Sequence, residues 1–250
     1  MTKRIAVIGG SGGIGASIAQ LAGRDSNVTI GYRSNKEKAE ATAKLIRDGG
    51  GSAEICEVNI CDGESVGRFF KTVQEQWGGI DSIVSATGPA FEMRPITEVD
   101  DEKFRHVIET DIIGSFNILK RGIPFLQEAG GGSIVLLLTL AVMKTLENDA
   151  MSTVPKMGVE GLIRTAAREY GADGIRVNGV CPGSIKSNSI HFPFDTGEKV
   201  SPVAAKVLAQ TPLGRKGLPH EVAELTGFLL SDKASYISGQ IIAADGGFSA

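Results

Sequence analysis

Aromatic residues make up only 6% of this 250-residue chain, which holds one tryptophan, three tyrosines and three cysteines. Cys56, Cys61 and Cys181 show no CxxC or metal-ligand spacing, which excludes a thiolate metal site and a disulfide framework; reduced, buried thiols are expected. Charge of one sign is also lacking. Twenty-six basic residues stand against 29 acidic ones, a formal net charge of −3, with no basic stripe for nucleic acid. The longest apolar run, Ile134 to Val142, falls far short of the roughly 18 residues that span a bilayer. No apolar leader precedes the first strand pattern. These absences predict a cytoplasmic protein with neither nucleic-acid nor membrane partners and no metal.

Glycine, by contrast, is abundant and placed with purpose. Residues 3–15 read KRIAVIGGSGGIG: a short β-branched run, Ile5 to Ile8, and then five glycines within seven residues. A helical pattern follows, with Ile14, Ile18 and Leu21 on one face. Strand, glycine turn and helix in that order build an anion site, because glycine lets backbone approach a ligand and the helix N-terminus presents free N–H groups. A dinucleotide pyrophosphate is the expected ligand. An ordinary tight turn would also use glycine, but strand and helix patterns alternate to the end of the chain.

Strand-like runs recur at Val28–Tyr32, Ala53–Val58, Ile80–Ala86, Ser133–Leu138, Ile175–Val180 and Gln240–Ala244, with helical patterns at Glu37–Arg47, Ser65–Trp77, Glu102–Gln127, Val159–Tyr170 and His220–Leu230. The alternation predicts one α/β domain, residues 1–250, with a doubly wound parallel sheet of the Rossmann type, about seven strands and helices on both faces. The near-continuous apolar run from Ile134 suits a central strand covered on both faces. The irregular stretch 184–201 reads as a substrate lid. In this architecture a carboxylate about 20 residues past the glycines binds the adenosine ribose of NAD. The second strand instead ends Gly31-Tyr32-Arg33-Ser34. Arg33 and Ser34 suit a 2′-phosphate, which a carboxylate would repel, so NADP(H) is favoured over NAD(H); a solvated turn arginine is the bland alternative.

These motifs resemble the short-chain dehydrogenase/reductase family of the classical type over essentially the whole length. Gly9, Gly13 and Gly15 match TGxxxGxG, and SATG ending at Gly88 stands where the family has NNAG. IRVNGVCPGSIKS (Ile175–Ser187) is similar to RVNxVxPGxIxT, and the tail from Leu213 to Gly247 is an almost unbroken family C-terminus. The resemblance implies a nicotinamide cofactor held at the strands' carboxyl ends, hydride transfer to or from a carbonyl or alcohol, and a homotetramer. Under it the cofactor contacts are Gly9, Ser11, Gly13, Ile14, Gly15, Arg33, Ser34, Asn59, Ala86, Gly88, Lys156, Pro182, Gly183 and Ile185.

The family's catalytic set carries over only in part. Its lysine, which holds the nicotinamide ribose, aligns with Lys156. Its serine position holds Thr139, its asparagine position Asp111, and its tyrosine position Ser152. Tyr32, Tyr170 and Tyr236 align elsewhere. An aliphatic hydroxyl is a far weaker acid than a phenol of pKa ~10, and a serine oxygen lies roughly 4 Å nearer its backbone. Ser152 therefore cannot replace the tyrosine alone. With Pro155 close behind, Ser152 reads first as a helix N-cap ahead of a first-turn proline. Lys156 taken alone would be a surface lysine, Asp111 a helix-surface carboxylate and Thr139 strand filling. The sharper readings are a Lys156–Asp111 salt bridge favouring the charged lysine and a carbonyl-facing Thr139 hydroxyl. Glu147, Met151 and His191 read first as solvated or packing residues, though each could approach a substrate and His191 on the lid could supply the proton; His106 and His220 lie in helical patterns and are assigned no role.

The leading expectation is an NADP(H)-dependent oxidoreductase on a small, largely apolar carbonyl or alcohol, with a proton donor other than tyrosine. The alternatives are a non-redox isomerase, cyclase or dehydratase on the same scaffold, or a nucleotide-binding member without catalysis. A Ser152–Lys156 hydrolase is more distant, because no nucleophile elbow accompanies the pair.

Overall fold

The computed structural model describes residues 2–186 and 202–250. Strands β1 (Lys3–Ile8), β2 (Ser26–Tyr32), β3 (Ser52–Glu57), β4 (Ser82–Ser85), β5 (Gly132–Leu137), β6 (Ile175–Pro182) and β7 (Ile241–Ala244) match the seven expected runs to within two residues at each end. They form one all-parallel sheet in the order β3-β2-β1-β4-β5-β6-β7. Among the described residues, eight α-helices connect or follow them: α1 (Gly13–Ala22), α2 (Lys36–Asp48), α3 (Gly63–Trp77), α4 (Asp101–Ile108), α5 (Gly114–Glu128), α6 (Ala150–Tyr170), α7 (Pro202–Ala209) and α8 (Pro219–Leu230).

The period-2 alternation of each strand sorts its side chains onto two cores. Ile5, Val7, Val28 and Val135 pack with Ile18 of α1, Ala43 of α2 and Val222 of α8. Ala6, Ile8, Ile134 and Leu136 pack on the other face with Phe69 of α3, Ile118 of α5 and Ile163 of α6. This is the single-domain, doubly wound architecture expected from the sequence, with both faces of the sheet covered.

Four local features differ from expectation. The predicted helix Glu102–Gln127 is broken by a π-helical turn, Glu109–Ile113, between α4 and α5. A wider turn inserts a residue without disturbing the apolar spacing on either side, so periodicity cannot reveal it. Helix α6 begins at Ala150 instead of Val159, with Asp149 at the N-cap. Ser152 is therefore inside the first turn and is not the cap, and Pro155 lies in the second turn, where its missing N–H leaves the Met151 carbonyl without its helical donor. The run from Ile134 ends as strand at Leu137. Leu138 still donates its N–H to Val180 O at 2.8 Å, and Thr139 then caps a 3-10 turn, Leu140–Val142. Only Cys181 is buried; Cys56 and Cys61 are half-exposed because both lie on or beyond the sheet's outer strand β3. Of the expected lid, residues 187–201, His191 among them, lie outside the described residues. His106 and His220 sit in α4 and α8.

Candidate active site

Parallel strands place all their carboxyl ends along one edge, and the strand order reverses between β1 and β4, which opens a crevice there. Gly9 leaves β1 at φ +83°, and a Cβ on it would lie 2.6 Å from the Ala86 carbonyl. Only glycine lets the two strand exits approach this closely; Ala86 N–H bonds Ile8 O at 2.8 Å. A Cβ on Gly15 would collide with the Gly9 carbonyl. Gly12 caps α1 without a side-chain partner, no acidic residue occupies the first turn, and a Cβ on Gly12 would meet nothing within 4 Å. The N-terminus of α1 thus has no side-chain cap or acidic residue of its own, which fits a diphosphate. Ile8 stands before Gly9, so the hydroxyl that opens the TGxxxGxG pattern is missing here.

The remaining expected cofactor positions line this edge on both sides of the crevice. Ser11 is half-buried in the glycine turn, and Ile14, Ala86 and Ile185 rest on the core beneath. Arg33 and Ser34 follow β2 and are exposed; Asn35 accepts from Lys38 N at 2.9 Å and starts α2 immediately after them. Arg33 makes no ion pair among the described residues. Asn59 shapes the loop after β3: its amide bonds Ser65 Oγ at 3.0 Å and its Oδ1 accepts from Cys61 N at 3.2 Å. Pro182 ends β6, and Gly183 N–H bonds Ala244 O at 2.9 Å. Beside them is a cavity of about 230 Å³ lined by Gly183, Ser184, Ile185 and Asp245. A larger cavity, about 470 Å³, is bounded by Arg4, Asp81, Ser133 and Arg176 on the opposite, amino-terminal edge of the sheet. It is far from every expected site residue.

Lys156 is the centre of the site. It is neither solvated nor superficial: its side chain is 11% exposed, and Asp111 is 3% exposed. Lys156 Nζ donates to Asp111 Oδ1 at 3.0 Å, to Thr87 O at 3.2 Å and to Leu137 O at 3.3 Å. The expected salt bridge is present, and all three ammonium hydrogens have acceptors. The π turn supplies Asp111 to it. Gly158 allows that turn to pack against α6, since a Cβ there would sit 2.6 Å from Ile112 Cδ1. On the open side, a Cβ on Gly88 would meet only Lys156 Nζ, at 4.0 Å.

Thr139 is half-buried past the end of β5, where its Oγ1 accepts from Ala141 N at 3.4 Å. Ser152 is buried one helical turn before Lys156. No tyrosine takes the phenol's place: Tyr32 is in the core, Tyr170 ends α6 and Tyr236 is fully exposed. Glu147 is exposed and paired with Lys206 at 2.9 Å, and Met151 is packed in the interior. Burial pushes the Cys181 thiol up to about 12, which leaves it an inert packing group.

One residue escaped the sequence reading. Asp149 is 4% exposed, and burial pushes its carboxyl up to about 7 against the lowering effect of the Thr153 and Ser152 hydroxyls. The Asn148-Asp149 pair just ahead of the Ser152 turn was the available signal, hidden because the helix was expected to start later.

A family model described as Enoyl-(Acyl carrier protein) reductase matches residues 9–249. A 3-oxoacyl-[acyl-carrier-protein] reductase of Staphylococcus aureus is 35% identical over 248 residues, covering 99% of this chain and 98% of that protein. A cis-4-hydroxycyclohexanecarboxylate dehydrogenase of Sinomonas cyclohexanicum is 36% identical over 251 residues, covering 99% and 97%. Among solved structures, a short-chain type dehydrogenase/reductase from Mycobacterium ulcerans superposes with a TM-score of 0.91 at 29% identity, covering 100% of this chain and 91% of that one. Levodione reductase gives 0.90 at 26% identity, covering 100% and 98%. The chain belongs to the short-chain dehydrogenase/reductase family of oxidoreductases.

Proposed function

We propose that the protein is an NADP(H)-dependent oxidoreductase acting on a small, largely apolar carbonyl or alcohol, with proton chemistry that does not use a phenol. The observation that carries this reading is the buried Lys156 ammonium, which closes the glycine-edged crevice beside Gly88. A bound nicotinamide dinucleotide would supply or accept the hydride. Gly9, Ser11, Gly13, Ile14 and Gly15 hold its diphosphate, Arg33 and Ser34 its 2′-phosphate, and Asn59 and Ala86 its adenosine. Gly88, Pro182, Gly183 and Ile185 border the nicotinamide end. Lys156 would hold the ribose while Asp111 balances its charge, and Thr139 would offer its hydroxyl to the substrate oxygen.

A homotetramer fits this reading. Ile113, Phe116, Val154 and Met157, on adjoining segments around α5 and α6, are exposed apolar side chains suited to burial between subunits. No helix among the described residues is long and apolar enough to cross a membrane.

A second reading rests on the same lysine. In a non-redox isomerase, cyclase or dehydratase the dinucleotide would be structural, and Lys156, its partner Asp111 and Thr139 would polarise the substrate. Calorimetric titration with NADPH and NADH, followed by nucleotide absorbance over a panel of carbonyls and alcohols, tests both. NADPH binding tighter than NADH with substrate-dependent oxidation supports the first reading. Product formation without nucleotide oxidation supports the second, and binding without any product leaves a non-catalytic nucleotide-binding protein.

A further inference from the structure

We propose that the buried carboxyl of Asp149 is the proton reservoir of this site, delivering its proton through Ser152 Oγ and a water in the space left by the absent phenol to the substrate oxygen. The proposal rests on the reductase reading above and adds the residue that completes it.

The geometry around Asp149 is unusual on four counts. The side chain is almost wholly buried, yet its Oδ1 has no hydrogen-bond partner among the described residues. An N-cap aspartate ordinarily satisfies the second or third amide of its helix, but here no side-chain cap bond forms, and Oδ2 instead takes the Thr153 hydroxyl at 3.3 Å. The residue before it, Asn148, is at φ +65°, the sole non-glycine residue in the left-handed region among those described. Backbone strain of this kind persists only where surrounding contacts enforce it. Arg94 supplies the contact: its N–H bonds Asn148 O at 2.9 Å, and its backbone and that of Asp149 form a single parallel bridge. The chain after β4 therefore clamps the start of α6 so that Asp149 points inward, one turn before Ser152. Ser152 N–H bonds Asp149 O at 3.2 Å, and the Ser152 hydroxyl is one of the two groups that act against the rise of the carboxyl's pKa.

Charged groups on the neighbouring elements are already matched. Arg94 pairs with Glu92, Glu147 with Lys206, and Lys156 with Asp111. Only burial and the two hydroxyls act on Asp149, and they hold its proton near neutrality. In the reductive direction the two-electron reductant is a reduced nicotinamide dinucleotide, whose hydride goes to the carbonyl carbon and displaces the C=O π pair onto oxygen. That pair takes a proton from the bridging water, the water takes the Ser152 Oγ proton, Oγ takes the proton from Asp149, and a carboxylate remains that solvent reprotonates. In the alcohol-oxidising direction the same protons run backwards.

The test combines titration with kinetics on the full-length protein. Carboxyl ¹³C spectra of aspartate-labelled wild type and Asp149→Asn identify the Asp149 signal by difference, and it is expected to titrate near pH 7. In carbonyl reduction, wild-type kcat is expected to fall above that pH. Asp149→Asn should lower kcat roughly 10²-fold or more and flatten the profile, with NADPH affinity within about threefold of wild type. Asp149→Glu should recover part of the rate, and Ser152→Ala should lose the rate while leaving the Asp149 signal titrating. An Asp149 signal titrating in the ordinary carboxylate range overturns the proposal. So does an Asp149→Asn profile parallel to wild type. A wild-type protein that reduces no carbonyl overturns the reductase reading and the donor role together, which the titration then distinguishes from a fault in the geometry.

Discussion

Removing the Asp111 carboxylate should expose the electrostatic core of the site. Asp111 Oδ1 and Lys156 Nζ are 3.0 Å apart with 3% and 11% side-chain exposure. At that separation the Coulomb attraction is about 5 kcal/mol in an effective dielectric of about 20. Most of it offsets the several kcal/mol that burying each ion costs, so the intact pair adds little net stability. Breaking it is another matter. Asp111→Ala leaves an ammonium in the interior with only two carbonyl dipoles, Thr87 O and Leu137 O, and is expected to cost about 3–5 kcal/mol. Asp111→Asn keeps one acceptor and should cost less, about 1–3 kcal/mol. Adding Lys156→Met to Asp111→Ala removes the stranded charge and should regain at least about 2 kcal/mol relative to the single variant. Urea unfolding at fixed protein concentration reads wild type, the two Asp111 variants, Lys156→Met and the double variant, and a slope of about 3 kcal/mol per molar turns the Asp111→Ala cost into a midpoint shift of roughly 1–1.7 M. An Asp111→Ala cost below about 1 kcal/mol, or strict additivity with Lys156→Met, would refute the argument.

Three further outcomes follow from the same geometry. Gly15→Ala forces a methyl into the Gly9 carbonyl and should lower the melting temperature and weaken NADPH binding by about 100-fold or more; normal binding would show that the turn relaxes freely. Arg33→Ala should weaken NADPH by roughly 10–100-fold, the worth of a charge-assisted contact, and leave NADH within about threefold; equal losses for both nucleotides would remove Arg33 from the 2′-phosphate. Asp149 is raised from 3.8 to about 7 in the folded protein, so its stabilising effect is fully present below about pH 4 and is lost as pH rises through about 7. At about 1.4 kcal/mol per pH unit, Asp149→Asn should gain up to about 4 kcal/mol on wild type between roughly pH 4 and pH 8. Chemical denaturation across that range checks it, and a constant difference would show that the carboxyl titrates normally.

How much was legible depended on whether a feature leaves a periodic trace. Strands such as Val28–Tyr32 and Ile175–Val180 declare themselves because buried parallel strands need unbroken apolar, β-branched runs. Gly9 and Gly15 could be read because close backbone approach excludes every other residue. The π turn at Asp111 could not: an inserted residue keeps apolar spacing intact on each side and shows only where packing places a carboxylate inside. The start of α6 was misplaced for a related reason. Ser152 and Pro155 are good start signals, yet tertiary clamping by Arg94 moves the start back to Ala150 and carries the proline into the helix. Asp149 was missed with it, since only burial separates a proton reservoir from a common N-cap.

The changes at positions 152 and 111 are chemically one change. In the enzymes this chain resembles, the lysine lowers the pKa of a phenol, and a phenolate can in turn offset the lysine's buried charge. Ser152 cannot ionise at working pH, so a lysine facing it alone would be an interior cation held only by dipoles, which is costly. A carboxylate at 111 in place of the family's amide supplies the missing negative charge from the opposite side, through the π turn and the close packing at Gly158. That arrangement ties the lysine's charge to Asp111 and leaves proton exchange to a group outside the pair. Under the proposal above, Asp149, buried, unpaired at Oδ1 and just ahead of Ser152, would be that acid, which would separate ribose holding from proton delivery, tasks that the tyrosine and lysine of related enzymes share.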